Sequence, residues 1–88
     1  MASVRKLKQE INNVLGDIIE AVYIWQLTNP EESKSKSDKI IDEAIQIFDE
    51  LIEKMHQPVK DSKKAHFQGI RKELETKGRK LIDALNAL

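Results

Sequence analysis

Apolar residues recur at alternating spacings of three and four along most of this chain, the repeat expected of helices that bury one face. In the first third the series is Val4, Leu7, Ile11, Val14, Ile18, Ala21 and Trp25. It predicts a helix over about 4–27 with Ser3 as its cap. The helix should stop there because Asn29 precedes Pro30, and the residue before a proline is pushed away from helical angles.

A second series, Ile41, Ala44, Phe48, Leu51 and Met55, flanked by Ile40, Ile45, Ile47 and Ile52, predicts a helix over about 33–56. Its start has two readings. Thr28 or Asn29 followed by Pro30, Glu31 and Glu32 resembles a capping box with proline in the first turn. Ser33 to Ser37, however, alternates serine with lysine and offers no apolar anchor, so the packed part of the helix is expected only from Asp38.

His56-Gln57-Pro58 ends that helix, and Pro58 or Asp61 can open a third over about 61–87. Its seam is Phe67, Ile70, Leu74, Leu81, Leu85 and Leu88, with Lys77 at the heptad position between Leu74 and Leu81 and Gly78 beside it. Glycine costs about 1 kcal/mol relative to alanine in a helix interior, so Gly69 and Gly78 call for a compensating contact. The spacing sets Trp25 opposite Gly78. Short connections make successive helices antiparallel neighbours. The expected fold is therefore all-α, a single domain over 1–88 built as an antiparallel up-down-up three-helix bundle.

One stretch does not keep to a single stripe. Between Val14 and Leu27 apolar residues run most of the way round the first helix. With Val14, Ile18, Ala21 and Trp25 assigned to the core, Leu15, Gly16, Ile19, Val22 and Tyr23 form a second apolar side. A bundle that buries one face per helix leaves such a side in water unless something covers it. Those five residues are the expected interface, and the expected occupant is a second copy in a homodimer or the helix of a protein partner. Gly16 would permit close approach.

Charge adds register but little long-range pull. The whole chain has a formal net charge of zero. Residues 29–57 carry eight acids against four lysines, and residues 58–88 carry eight bases against four acids. Opposite fields on the second and third helices favour their pairing. A net charge of zero argues against nucleic acid as a partner, yet the basic third helix supplies the runner-up reading, a nucleic-acid-associated bundle.

Composition narrows the chemistry. The chain has no cysteine, which excludes disulfides, thiolate nucleophiles and cysteine-ligated zinc, and suits a reducing compartment. The apolar run from Val14 to Leu27 contains Asp17 and Glu20 and is shorter than the roughly 20 residues a bilayer requires, so no membrane span is expected. Residues 1–10 meet a charge before any apolar run forms, unlike a signal peptide. The expected location is the cytoplasm.

Candidate reactive groups are few. Glu53 and His56 have the Glu-x-x-His spacing of carboxylate-bridged metal sites, but no second copy of the motif exists in the chain. His66, one turn into the third helix, would lie near His56 across the hairpin. No Ser, Cys or buried carboxylate is placed to complete a nucleophile, base and orienting set with them, so neither an enzyme nor a cofactor or metal is expected.

The segments Asn13-Val14-Leu15-Gly16-Asp17-Ile18-Ile19-Glu20-Ala21-Val22, Ile41-Asp42-Glu43-Ala44, Phe48-Asp49-Glu50-Leu51 and Lys64-Ala65-His66-Phe67 resemble short helical proteins of Bacteroidetes-type bacteria. The resemblance spans nearly the whole chain. It implies a bacterial cytosolic setting and carries no activity, cofactor or site residue with it.

Overall fold

In the computed structural model, which describes residues 4–58 and 62–88, the three apolar series fold into three helices. These are α1 (Val4–Thr28), α2 (Ser35–Met55) and α3 (Lys63–Asn86), and among the described residues there is no strand. Each helix packs on both of the others, in a rod 51 Å long and 17 Å across. The molecule is an all-α bundle in which α2 runs antiparallel to its neighbours, α1 and α3 being parallel. Ser3 and Asp61, two of the expected caps, lie outside the described residues.

The core is a single cluster drawn from all three helices, led by Leu7, Ile11, Ile18, Ala44, Leu51, Ile70 and Leu81. Helix α1 sits in it turned by roughly 30° from the expected seam, given 100° per residue. Leu15 and Val22 are buried, at 2% and 0% exposure, while Val14 is 37% exposed and Ala21 and Trp25 only half-buried. The physical reason is volume: the turn exchanges Val14 and Ala21 for the larger Leu15 and Val22, at about 0.8 kcal/mol per additional buried methylene. Leu15 and Val22 are thus core residues and not part of a second, exposed side.

The first connection also corrects the expected caps. Thr28 and Asn29 close α1 instead of opening α2. Thr28 Oγ1 donates to the Ile24 and Trp25 carbonyls, and Asn29 donates to the Trp25 carbonyl through both its backbone N–H and Nδ2. Helix α2 starts at Ser35, with Lys34 at the cap position and no side-chain cap.

What holds that polar first turn is Ser37, which is completely buried. Its Oγ donates to the Lys34 carbonyl at 3.0 Å and accepts from Gln26 Nε2 at 2.8 Å, and the same Gln26 nitrogen reaches Asp38 Oδ1 at 2.9 Å. A burial pattern based on apolar residues alone misses such an anchor, because a small hydroxyl fits between two helices when both of its hydrogen-bonding capacities are used. The cap of α3 is Ser62, whose Oγ accepts from the Ala65 N–H at 3.3 Å.

In α3 the heptad gap is filled by Gly78, which is buried, and Lys77 turns to the edge. Gly78 does not meet Trp25. A Cβ built there would lie 3.4 Å from Val14 Cγ1 and 3.9 Å from Ile18 Cδ1, because α1 and α3 run parallel and bring residue 14 to the level of residue 78. Trp25 lies a few turns further along, beside Ala87 and Leu88.

Two stability outcomes follow from these contacts. Gly78→Ala places its methyl group in ordinary van der Waals contact and gains helix propensity, so urea unfolding should show the variant more stable by up to about 1 kcal/mol. A loss of that size would mean that α1 and α3 are closer than described. Ser37→Ala removes a buried, doubly used hydroxyl and should cost about 1 kcal/mol in the same measurement; an unchanged midpoint would show that the first turn of α2 is not anchored there.

Candidate functional site

The three helix pairs meet along edges of different character. Between α2 and α3 the edge is charged. Lys77 Nζ lies 3.1 Å from Glu50 Oε2 and 2.9 Å from Glu73 Oε1, and Lys54 Nζ lies 2.7 Å from Glu73 Oε2. The hydrogen bond from Lys54, followed by that from Lys77, holds the Glu73 carboxyl below its ordinary value of 4.5. Lys77, aided by Gln46, does the same for Glu50. Lys77 in turn is raised above 10.5 by Glu73 first and Glu50 second. The opposite charges of the two helices thus meet in one network, which closes this edge to apolar contacts.

The same edge absorbs one of the two histidines. His66 Nε2 lies 2.7 Å from the Lys54 carbonyl oxygen. A carbonyl only accepts, so Nε2 carries the hydrogen, and the ring satisfies one of the last carbonyls of α2. His56 stays exposed at the C-cap of that helix, and Glu53 is exposed as well. Among the described residues no three His, Asp, Glu or Cys side chains come together in a way that could hold a metal ion.

Between α1 and α3 the edge is a shallow groove of about 570 Å³, floored by Val14, Leu74, Gly78 and Ile82. The missing side chain at residue 78 opens it. Its rim is polar and of mixed sign, with Glu10 and Arg71 joined at 2.8 Å, then Glu75 and Arg79. Two bases of the expected nucleic-acid face, Arg71 and Lys77, are therefore engaged with carboxylates of the same molecule.

Between α1 and α2 the edge is apolar and open. Asn12, Leu15, Gly16 and Ile19 of α1 face Ile45 and Phe48 of α2 around a cleft of about 190 Å³. A second cleft of about 260 Å³ continues it toward the start of α1 and is lined by Arg5, Lys8, Gln9, Asn12 and Phe48. Beyond Ile19, at successive helical turns, come Tyr23, 52% exposed, and Leu27, 80% exposed. Ile45 is 48% exposed, and Ile19, Phe48 and Ile52 are half-buried against the core.

Of the five expected interface residues, Gly16, Ile19 and Tyr23 thus lie along this open edge, whereas the Leu15 and Val22 side chains turn inward. The structure adds Ile45 and Phe48. Both were visible in the sequence as part of the second apolar series, but only the pairing of α1 with α2 shows that they border Gly16 and Ile19. No described helix is long and apolar enough to cross a membrane. No family model, curated protein or solved structure matches this chain.

The charged edge generates a pH dependence with a definite sign. Glu73 and Glu50 have lowered folded-state values, so the stability they contribute is present above about their ordinary 4.5 and is lost as pH falls through the lowered values. Lys77 contributes below 10.5, and its share is lost only as pH rises beyond that through the raised value. Thermal midpoints should therefore hold across neutral pH and fall on acidification below about 4.5. Glu73→Gln should flatten that acid limb; an acid limb of unchanged depth would place the responsible carboxylates elsewhere.

Proposed function

We propose that this protein acts by binding rather than by catalysis, as a small helical module that docks a helix on the α1/α2 edge. The supporting observation is the exposure of Tyr23, Leu27 and Ile45 in one continuous strip with half-buried Ile19 and Phe48. Isolated apolar residues on a surface call for no explanation, but a strip about three helical turns long on α1, from Gly16 to Leu27, bordered by Ile45 and Phe48 of α2, is the kind of patch that marks an interaction site. Covering it would gain roughly 25 cal/mol per Å² of apolar area, from which the cost of association is subtracted. Gly16 has open space where a Cβ would be, which lets an incoming backbone approach.

The mode of binding fits a helix better than a small molecule. The cleft around Gly16 is an open trough lined by apolar residues and by Asn12, without the set of convergent polar groups that orients a small ligand. A helix presenting apolar residues at i, i+3, i+4 and i+7 matches such a trough. The test is photocrosslinking in the producing cells, with a benzophenone side chain at Tyr23 or Ile45 and, as control, at Lys72 on α3. Adducts from the first two positions and none from the third are expected. The absence of any adduct from Tyr23 and Ile45 would overturn the proposal.

A further inference from the structure

The charges that border the open edge between α1 and α2 are mostly of one sign. On α2, Asp38, Asp42, Asp49 and Glu53 are all exposed. At 100° per residue they fall within an arc of about 60° on the solvent side of Ile45, in a row roughly 22 Å long. Lys36 and Lys39 stand further round the helix, and Lys54 is engaged with Glu73. The chain has no Lys or Arg between Lys8 and Lys34, so the charges of α1 beside the strip are those of exposed Glu20, one turn from Gly16, and of Asp17 further round. Arg5 and Lys8 border only the end at the start of α1, where Asp49 and Glu53 stand as well. Among the described residues, Glu20, Asp38, Asp42, Asp49 and Glu53 form no ion pair with a base of the same molecule.

We infer, resting on the docking proposed above, that the docked helix is a basic amphipathic one. Its apolar seam lies along Gly16, Ile19 and Tyr23, and Lys or Arg on its two flanks face Glu20 on one side and Asp38, Asp42 and Asp49 on the other. Burial of the seam supplies the affinity, and the charges select and orient the partner. The same field rejects other occupants. An acidic helix, a nucleic acid or an anionic membrane surface meets like charge along the row. A second copy docked through this face brings the same carboxylates with it, and α3, although basic, has its apolar seam in the core. The occupant is therefore a basic helix of another protein.

The experiment is fluorescence anisotropy of the full chain with three labelled peptides of about five helical turns, capped at both ends. The first carries leucines at i, i+3, i+4, i+7 and i+11 with lysines on both flanks. The second keeps the leucines and has glutamates in place of the lysines. The third has the composition of the first in an order that scatters the leucines round the helix. The first peptide should bind at least about tenfold more tightly than either of the others, and more weakly as salt is added. Equal affinity for the first and second overturns the choice of a basic partner. Equal affinity for the first and third reduces the contact to unspecific attraction and overturns it too, as does binding of none.

A charge reversal on the protein ties the preference to this edge. Asp42 and Asp49 are exposed, so Asp42→Lys/Asp49→Lys should keep the parent's helical circular dichroism. Its preference should invert, with the glutamate-flanked peptide bound more tightly than the lysine-flanked one. An unchanged preference places the lysine contacts elsewhere and overturns the proposal. If photoadducts form at Tyr23 and Ile45 while the peptides show no charge preference, the docking face stands and the basic partner fails. If no adduct forms at all, the docking reading itself fails and the basic partner with it.

Discussion

The rotation of α1 about its own axis decides what this molecule can do. A three-helix bundle has room for one stripe of large side chains from each helix, and α1 offers more apolar residues than that stripe can take. The five side chains that fit are Leu7, Ile11, Leu15, Ile18 and Val22. Once they are inside, Val14 is left at the α3 edge, and Ile19 and Tyr23 at the α2 edge. The edge groove over Gly78 and the open apolar strip along α2 are both consequences of that choice.

The polar interactions set the remaining degrees of freedom. Gln26, Ser37 and Asp38 bind the end of α1 to the beginning of α2, which fixes the height at which Ile19 meets Ile45. His66 and the Glu50, Lys77, Glu73 and Lys54 network do the same for α2 and α3. Among the described residues no buried side-chain nitrogen or oxygen lacks a partner. The α2/α3 edge is therefore occupied by ion pairs, and the most exposed large apolar residues, Tyr23, Ile24 and Leu27, lie on α1.

How far all this was legible in the sequence depends on the kind of signal. The helices and the up-down-up order followed from periodicity and prolines, and the core residues of α2 and α3 stand largely where the spacing put them. The register of α1 did not, because two apolar stripes of nearly equal strength compete on that helix and only packing against two neighbours decides between them. The start of α2 was hidden for a different reason: its anchor is a serine, and a buried hydroxyl has no apolar signature. The pairing of Gly16 and Ile19 with Ile45 and Phe48 needed the relative height of two helices, which no single-helix pattern contains.

Helix α1 turns Val22 inward and leaves Tyr23 exposed, and under the docking proposed above what covers Tyr23 arrives from outside the monomer. The orientation can be tested by the thiol-labelling rates of two single-cysteine variants, Val22→Cys and Tyr23→Cys, measured across protein concentration. Val22→Cys should be protected at every concentration, whereas Tyr23→Cys should react freely in the dilute protein. Free reaction at Val22→Cys with protection of Tyr23→Cys in the dilute protein would contradict it.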